Sequence, residues 1–175
     1  MHKEDRGFTL LEILVVMAIL GILIGISSSV FISILRSQNK TQVIIEVRQN
    51  ADLVINLIER DVRDASNLSL SQTNFANDTL TIDKNLDITW VCVEESAGVN
   101  GHFTRQIEGG LAETVTNDDT VRGVSVDCGG VFGVTGSTSF IVRVKFSMKQ
   151  GVEAPTRNDF NINLPFETTV GTRSF

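Results

Sequence analysis

The chain has 175 residues, with 15 Lys and Arg against 21 Asp and Glu, a formal charge of −6, and 42% of its residues are apolar. An acidic balance with scattered basic residues argues against a nucleic-acid surface, which needs clustered positive charge. No glycine-rich phosphate loop, His-centred triad or paired metal-ligand spacing occurs, so nothing supplies an enzyme with a nucleophile and base.

From Ile13 to Leu35 no residue is charged, a run of 23. At about 1.5 Å per residue such a run spans roughly 35 Å as a helix, enough for a bilayer core of about 30 Å. Peptide groups in lipid need internal partners, so a helix is predicted there. Just ahead of the run stands Glu12. A carboxylate at mid-membrane costs roughly 2.5–3.5 kcal/mol, so Glu12 is either hydrated at the interface or matched by a cation. A secretory signal carries a shorter apolar run with a small-residue cleavage site behind it. Here Ser27-Ser28-Ser29 is small and polar, but the run is too long and lacks a convincing site, so the segment is expected to stay attached. Lys3 and Arg6 precede it, while Arg36, Lys40 and Arg48 follow, so charge counting alone does not set its orientation. Within it, Gly21 and Gly25 form a small-xxx-small pair that would let a second helix approach closely.

The run Gly7-Phe8-Thr9-Leu10-Leu11-Glu12-Ile13 resembles the prepilin-type N-terminus of type IV pilins and type II secretion pseudopilins. The resemblance is strong over about the first 30 residues. It implies a leader of residues 1–7, cleavage between Gly7 and Phe8 by a membrane prepilin peptidase, and methylation of Phe8 as the new N-terminus. It implies a cytoplasmic N-terminus and a C-terminal domain outside the cytoplasm, because that peptidase works on the cytoplasmic side. Glu12 becomes the fifth mature residue, able to pair with the free amine of a neighbouring subunit and so set axial register, a pairing favoured where water is scarce. Losing residues 1–7 removes Lys3 and Arg6 together with Glu4 and Asp5, so the charge stays at −6. Many pilins carry proline at the mature position occupied here by Ser29. Its absence predicts a less kinked helix and departs from the pattern of a bulk filament subunit.

Residues 8–35 are thus the expected transmembrane and filament-core helix, and residues 36–66 its amphipathic continuation. That second stretch lacks Pro and Gly and carries Val47, Ala51, Val54, Ile58, Val62 and Ala65 at three- and four-residue steps. Glu59, Arg60, Arg63 and Asp64 lie on the opposite face, so the stripe reads as core. The remaining residues, 67–175, read as a β-rich domain. Thr79–Asp83 is a short strand with Asn77-Asp78 as a turn before it. Leu86, Ile88, Trp90 and Cys92 form the buried face of the next strand, and Asn100-Gly101 is a hairpin signal leading into His102–Ile107. Gly109-Gly110 closes that piece, and Val124, Val126 and Cys128 share one face of a later strand. Phe140, Val142, Val144, Phe146 and Met148 alternate with Arg143, Lys145, Ser147 and Lys149, and Phe160, Ile162, Leu164, Phe166 and Val170 repeat the alternation with Pro165 outward, as on an edge strand. The fold class is α+β, pilin-like: a long N-terminal helix packed on an antiparallel sheet of six or so strands.

Cys92 and Cys128 both fall in the part expected outside the cytoplasm, where disulfides persist. They are read as one bridge, with two buried thiols as the alternative. His102, the one histidine beyond the leader, reads as a surface strand residue, and together with two cysteines it is short of a zinc site. Asn117-Asp118-Asp119 reads as a solvated turn, since three consecutive residues cannot supply the six to eight oxygens calcium takes. No metal or cofactor is expected.

The segments Val47-Arg48-Gln49 and Leu57-Ile58-Glu59-Arg60-Asp61-Val62-Arg63-Asp64-Ala65, with the terminal Leu164–Val170, are similar to J-type pseudopilins and W-type minor pilins. That likeness implies a low-copy structural subunit near a filament tip, where assembly is primed. Its partners would be prepilin peptidase, other pilin or pseudopilin subunits, the inner-membrane assembly platform and, before assembly, membrane lipid. A membrane-anchored tip module for adhesion or DNA uptake is the alternative.

Overall fold

A computed structural model describes residues 9–73, 77–136, 139–156 and 161–172. Among the described residues one helix, α1 (Leu10–Arg63), is followed by nine strands. By contacts the chain divides into a unit ending at Asn39 and a unit beginning at Lys40.

Within the first unit, residues 10–39 are helix. Its large apolar side chains, from Leu10 to Leu35, are exposed throughout. The helix is continuous through Ser29. Ser28 Oγ donates to Ile24 O at 2.9 Å and Ser29 Oγ to Ile26 O at 2.8 Å. Both hydroxyls are thereby satisfied without a partner outside the helix.

In the second unit the helix buries Val47, Ala51, Val54, Ile58 and Val62 of the predicted stripe, together with Val43, while Ala65 is buried just beyond the helix end. It ends at Arg63, three residues short of the expected Ser66, and Ser66 instead bonds through its N–H and Oγ to Asp83 O. The strands form two antiparallel sheets rather than one. Sheet 1 runs in chain order through β1 (Asn67–Thr73), β2 (Asn77–Asp83), β3 (Ile88–Val93), β4 (His102–Ile107) and β5 (Glu113–Thr114). Sheet 2 is built on β8 (Ile141–Gln150). Along one side of β8 lie β6 (Val124–Asp127) and β7 (Phe132–Thr135), end to end, and along the other lies β9 (Asn163–Gly171).

Alternation predicts β8 and β9 well. Val142, Val144, Phe146 and Met148 face inward while Arg143, Lys145 and Lys149 face out. Pro165 is exposed and β9 pairs with β8 alone among the described strands. Phe160 lies outside the described residues. Trp90 and Cys92 are buried as expected, but Leu86 precedes β3 and is exposed. Asn77 and Asp78 are not a turn: they pair with Val93 and Cys92 within β2.

The core joins both sheets. The Phe103 ring meets Trp90 at 6.5 Å, Phe132 at 6.2 Å and Phe146 at 5.2 Å, all edge-on, and Phe146 stacks on Phe166 at 5.6 Å. Such offset and T-shaped pairs add to simple area burial.

Candidate functional site

The site that the sequence points to begins where α1 begins. Thr9 caps the helix: its carbonyl accepts from the N–H groups of Glu12 (3.1 Å) and Ile13 (3.3 Å), and its Oγ1 accepts from Glu12 N at 3.3 Å. Thr9-x-x-Glu12 is the capping-box spacing, a signal that the reading of Glu12 as a membrane carboxylate passed over. A carboxylate in the first turn also complements the positive end of the helix dipole. Glu12 is therefore both a helix-start residue and an exposed charge. Beside it Ile13, Val16, Met17 and Leu20 line a shallow apolar groove. A β-carbon added at Gly21 or Gly25 would meet nothing within 4 Å, so the face they share is open in this chain. Gly7 and Phe8 lie outside the described residues.

An exposed apolar helix of this length has two ways to leave water, lipid or other helices, and it is long and apolar enough to cross a membrane. In the second unit the polar groups knit the domain to the helix. Asp61 is 2% exposed, and its Oδ2 accepts from Trp90 Nε1 at 3.0 Å and Arg105 Nε at 2.7 Å, while Oδ1 accepts from Arg105 Nη2 at 3.1 Å. The sequence reading puts Glu59, Arg60, Arg63 and Asp64 on the outer face and gives Asp61 no role. Its spacing, three residues after Ile58 and seven after Val54, is the signal that places it inward. Glu59 Oε1 accepts from Thr168 at 3.2 Å, tying the helix to β9 as well.

Cys92 in β3 and Cys128 just beyond β6 form a disulfide, which links the two sheets covalently. His102 is half-buried, with Nδ1 2.9 Å from Asn100 O. Asn100-Gly101 is not a hairpin turn. Asn100 is fully buried and its amide gathers three loops, donating to Asp118 O (3.2 Å) and Asp119 O (2.8 Å) and accepting from Val152 N (2.8 Å). A β-carbon on Gly101 would strike Val126 O, so the residue has to be glycine. The Asn117–Asp119 turn uses its own groups: Asp119 Oδ1 accepts from the N–H of Val121 and Arg122, both at 2.9 Å. Bonds from Arg122 and Val121 hold the Asp119 carboxyl below its ordinary range. Asn117 Nδ2 donates to Glu46 Oε1 on the helix at 2.9 Å.

Residues 2–28 match the family model described as the prokaryotic N-terminal methylation motif. The match is consistent with a prepilin-type N-terminus and supports a type IV pilin- or pseudopilin-type subunit, structural rather than enzymatic. It implies processing by prepilin peptidase and assembly with other pilins, and with the apolar helix it fits a single-pass membrane anchor. No curated protein and no solved structure matches the chain.

Proposed function

We propose that this chain is a minor pilin or pseudopilin, held in the inner membrane by residues 8–35 with its N-terminus cytoplasmic and its strand-rich domain outside. Prepilin peptidase cuts it between Gly7 and Phe8 and methylates Phe8. The assembly platform then draws it into a pilus or secretion pseudopilus, near the tip, where it helps to initiate the filament. The observation that carries this reading is a coincidence in one segment: the methylation motif at residues 2–28 falls on the half of α1 whose apolar side chains are all left exposed. Burial of those side chains between helices supplies the driving force, and Glu12 against a neighbour's N-terminal amine fixes the register.

The mass of the N-terminal peptide, from protein purified out of its own membrane, tests the first step. A peptide that starts at Phe8 and carries one extra methyl group is expected. One that starts at Met1 would leave an anchored binding module as the better reading, and one that starts beyond Ser29 would mean a secreted domain. For the second step, Glu12→Ala is expected to be cleaved normally but recovered from the membrane rather than from sheared filaments. Normal incorporation of the variant would end the register role.

A further inference from the structure

We propose that Asn100-Gly101 is a conformation-gated modification site: a deamidation site that the folded domain holds closed and an opened chain exposes. The inference concerns the loop junction of the strand-rich domain and does not rest on the filament reading. Among the chain's asparagines, Asn100 is the one followed by glycine. In such a pair the backbone nitrogen of the glycine attacks the side-chain carbonyl carbon of the asparagine. A five-membered succinimide forms, the bond from that carbon to the side-chain nitrogen breaks, and ammonia leaves. Water then opens the ring at one carbonyl or the other, giving aspartate or its isomer with the main chain routed through the β-carbon. The balance is asparagine plus water to aspartate plus ammonia, with no enzyme, oxidant or reductant. Glycine favours the attack because no β-carbon shields its nitrogen and its backbone turns freely. Packing nevertheless requires glycine here, for a β-carbon at Gly101 would strike Val126 O. The reactive pair therefore comes with the fold.

In the folded domain each reacting group is already engaged. Asn100 is fully buried, its Nδ2 donates to Asp118 O and Asp119 O, and its Oδ1 accepts from Val152 N. Gly101 is buried as well; its N–H donates to Ser125 Oγ at 3.0 Å and its carbonyl accepts from Val126 N at 2.8 Å. Ser125 is itself fully buried and donates to Glu95 Oε2 at 2.6 Å. Ring closure needs the Asn100 side chain to swing onto the Gly101 nitrogen, and that nitrogen to shed its proton. Both steps break hydrogen bonds where solvent does not reach to replace them. Opening the loops removes these restraints together, so reaction in the folded protein follows the small fraction of open chains. The product cannot return to asparagine. An aspartate at this position turns a carboxylate toward the carbonyls of Asp118 and Asp119, where the amide had supplied both donors. A buried acceptor without a donor is the costly arrangement. The isomer adds an atom to the main chain beside Gly101, where Val126 O leaves no room. Chains are thus sorted, irreversibly, by how long the domain has stood open.

The test holds the full chain in detergent at neutral pH in heavy-oxygen water, native in one sample and unfolded by urea in another. After reduction and digestion with trypsin, the peptide Asn85–Arg105 carries Asn100 together with Asn85, an exposed asparagine followed by leucine. Mass spectrometry then reads the labelled conversion at each. In urea, Asn100 is expected to convert first, to both aspartate and its isomer, while Asn85 lags. In the native protein, conversion at Asn100 is expected to be at least about 100-fold slower, because folded domains hold open forms at roughly 10⁻³ or below. Equal rates in the two samples would overturn the proposal. The variant Asn100→Asp reproduces one product directly. It is expected to melt several degrees below the parent or to lose the cooperative transition, and a Tm equal to the parent's would overturn the sorting.

Discussion

At the scale of single residues, the groups that matter most in the strand-rich domain are polar ones whose partners are remote in sequence. Asn100 reads locally as a hairpin residue, yet its amide is spent on Asp118, Asp119 and Val152. Asp61 reads locally as one of several helix charges, yet it is the one buried with a guanidinium and an indole. Glu95 makes a third case with a measurable consequence. Burial raises its carboxyl, but bonds from Lys149 and Ser125 and the Lys149 charge outweigh this, so the net shift is downward. Ser125 Oγ donates to Glu95 Oε2 at 2.6 Å, and Lys149 Nζ lies 2.8 Å from the same oxygen. A carboxyl lowered in the folded state adds stability that is complete above its unfolded pKa and is lost as pH falls through the folded value. Stability should therefore fall on acidification below about pH 5. Lys149→Met should make that acid limb shallower by lowering Tm at neutral pH while leaving Tm at acid pH little changed. An acid limb of unaltered slope would mean that Glu95 does not contribute to it.

Among the elements, those with regular periodicity were legible. The 23 uncharged residues declare a membrane-length helix, the three- and four-residue steps from Val47 to Val62 declare its buried face, and the alternation from Val142 to Met148 declares β8. What failed to show were β1, whose Leu68 and Leu70 stand among Asn and Ser, β5, which is two residues long, and β7, where Gly133 interrupts the pattern, and with them the split into two sheets. Short strands carry too few positions for period two to stand out. The capping role of Thr9 was hidden differently: its motif drew attention to Glu12 as a charge in lipid and away from the start of the helix. Pro165 was legible as an edge residue for a reason that has further consequences. Proline has no N–H, so its place opposite Ser147 is one where the missing donor would face away from β8. The open side of β9 therefore lacks a donor at its third residue, and Glu167 adds a charge two residues on, both devices that discourage pairing with another strand. Pro165→Val should leave the fold and its melting intact but promote self-association, read by sedimentation of the full chain in detergent. A variant as monodisperse as the parent would show that the edge is protected by other means.

For the molecule as a whole, the question is what makes two sheets and a helix one domain. The aromatic contacts of Phe103 and Phe146 run between the sheets, and the disulfide does so covalently, from β3 in sheet 1 to the residue after β6 in sheet 2. Composition and compartment allowed either a bridge or two thiols, because β3 and β6 are not consecutive and no sequence pattern brings their ends together. The fold does, with the two Cα atoms 5.6 Å apart across a separation of 36 residues. Closing a loop of that length in the unfolded chain is worth about 4 kcal/mol in the chain-entropy account. Replacing both cysteines by alanine should accordingly lower Tm on the order of 10 °C for a domain of this size. The variant should still melt cooperatively, since the Trp90–Phe103–Phe146–Phe166 series does not need the bridge to pack. Loss of cooperativity would mean that the sheets depend on the covalent link to stay together. An unchanged Tm would mean instead that packing already restrains the same loop before the chain unfolds, and that the bridge adds nothing the aromatic core has not supplied.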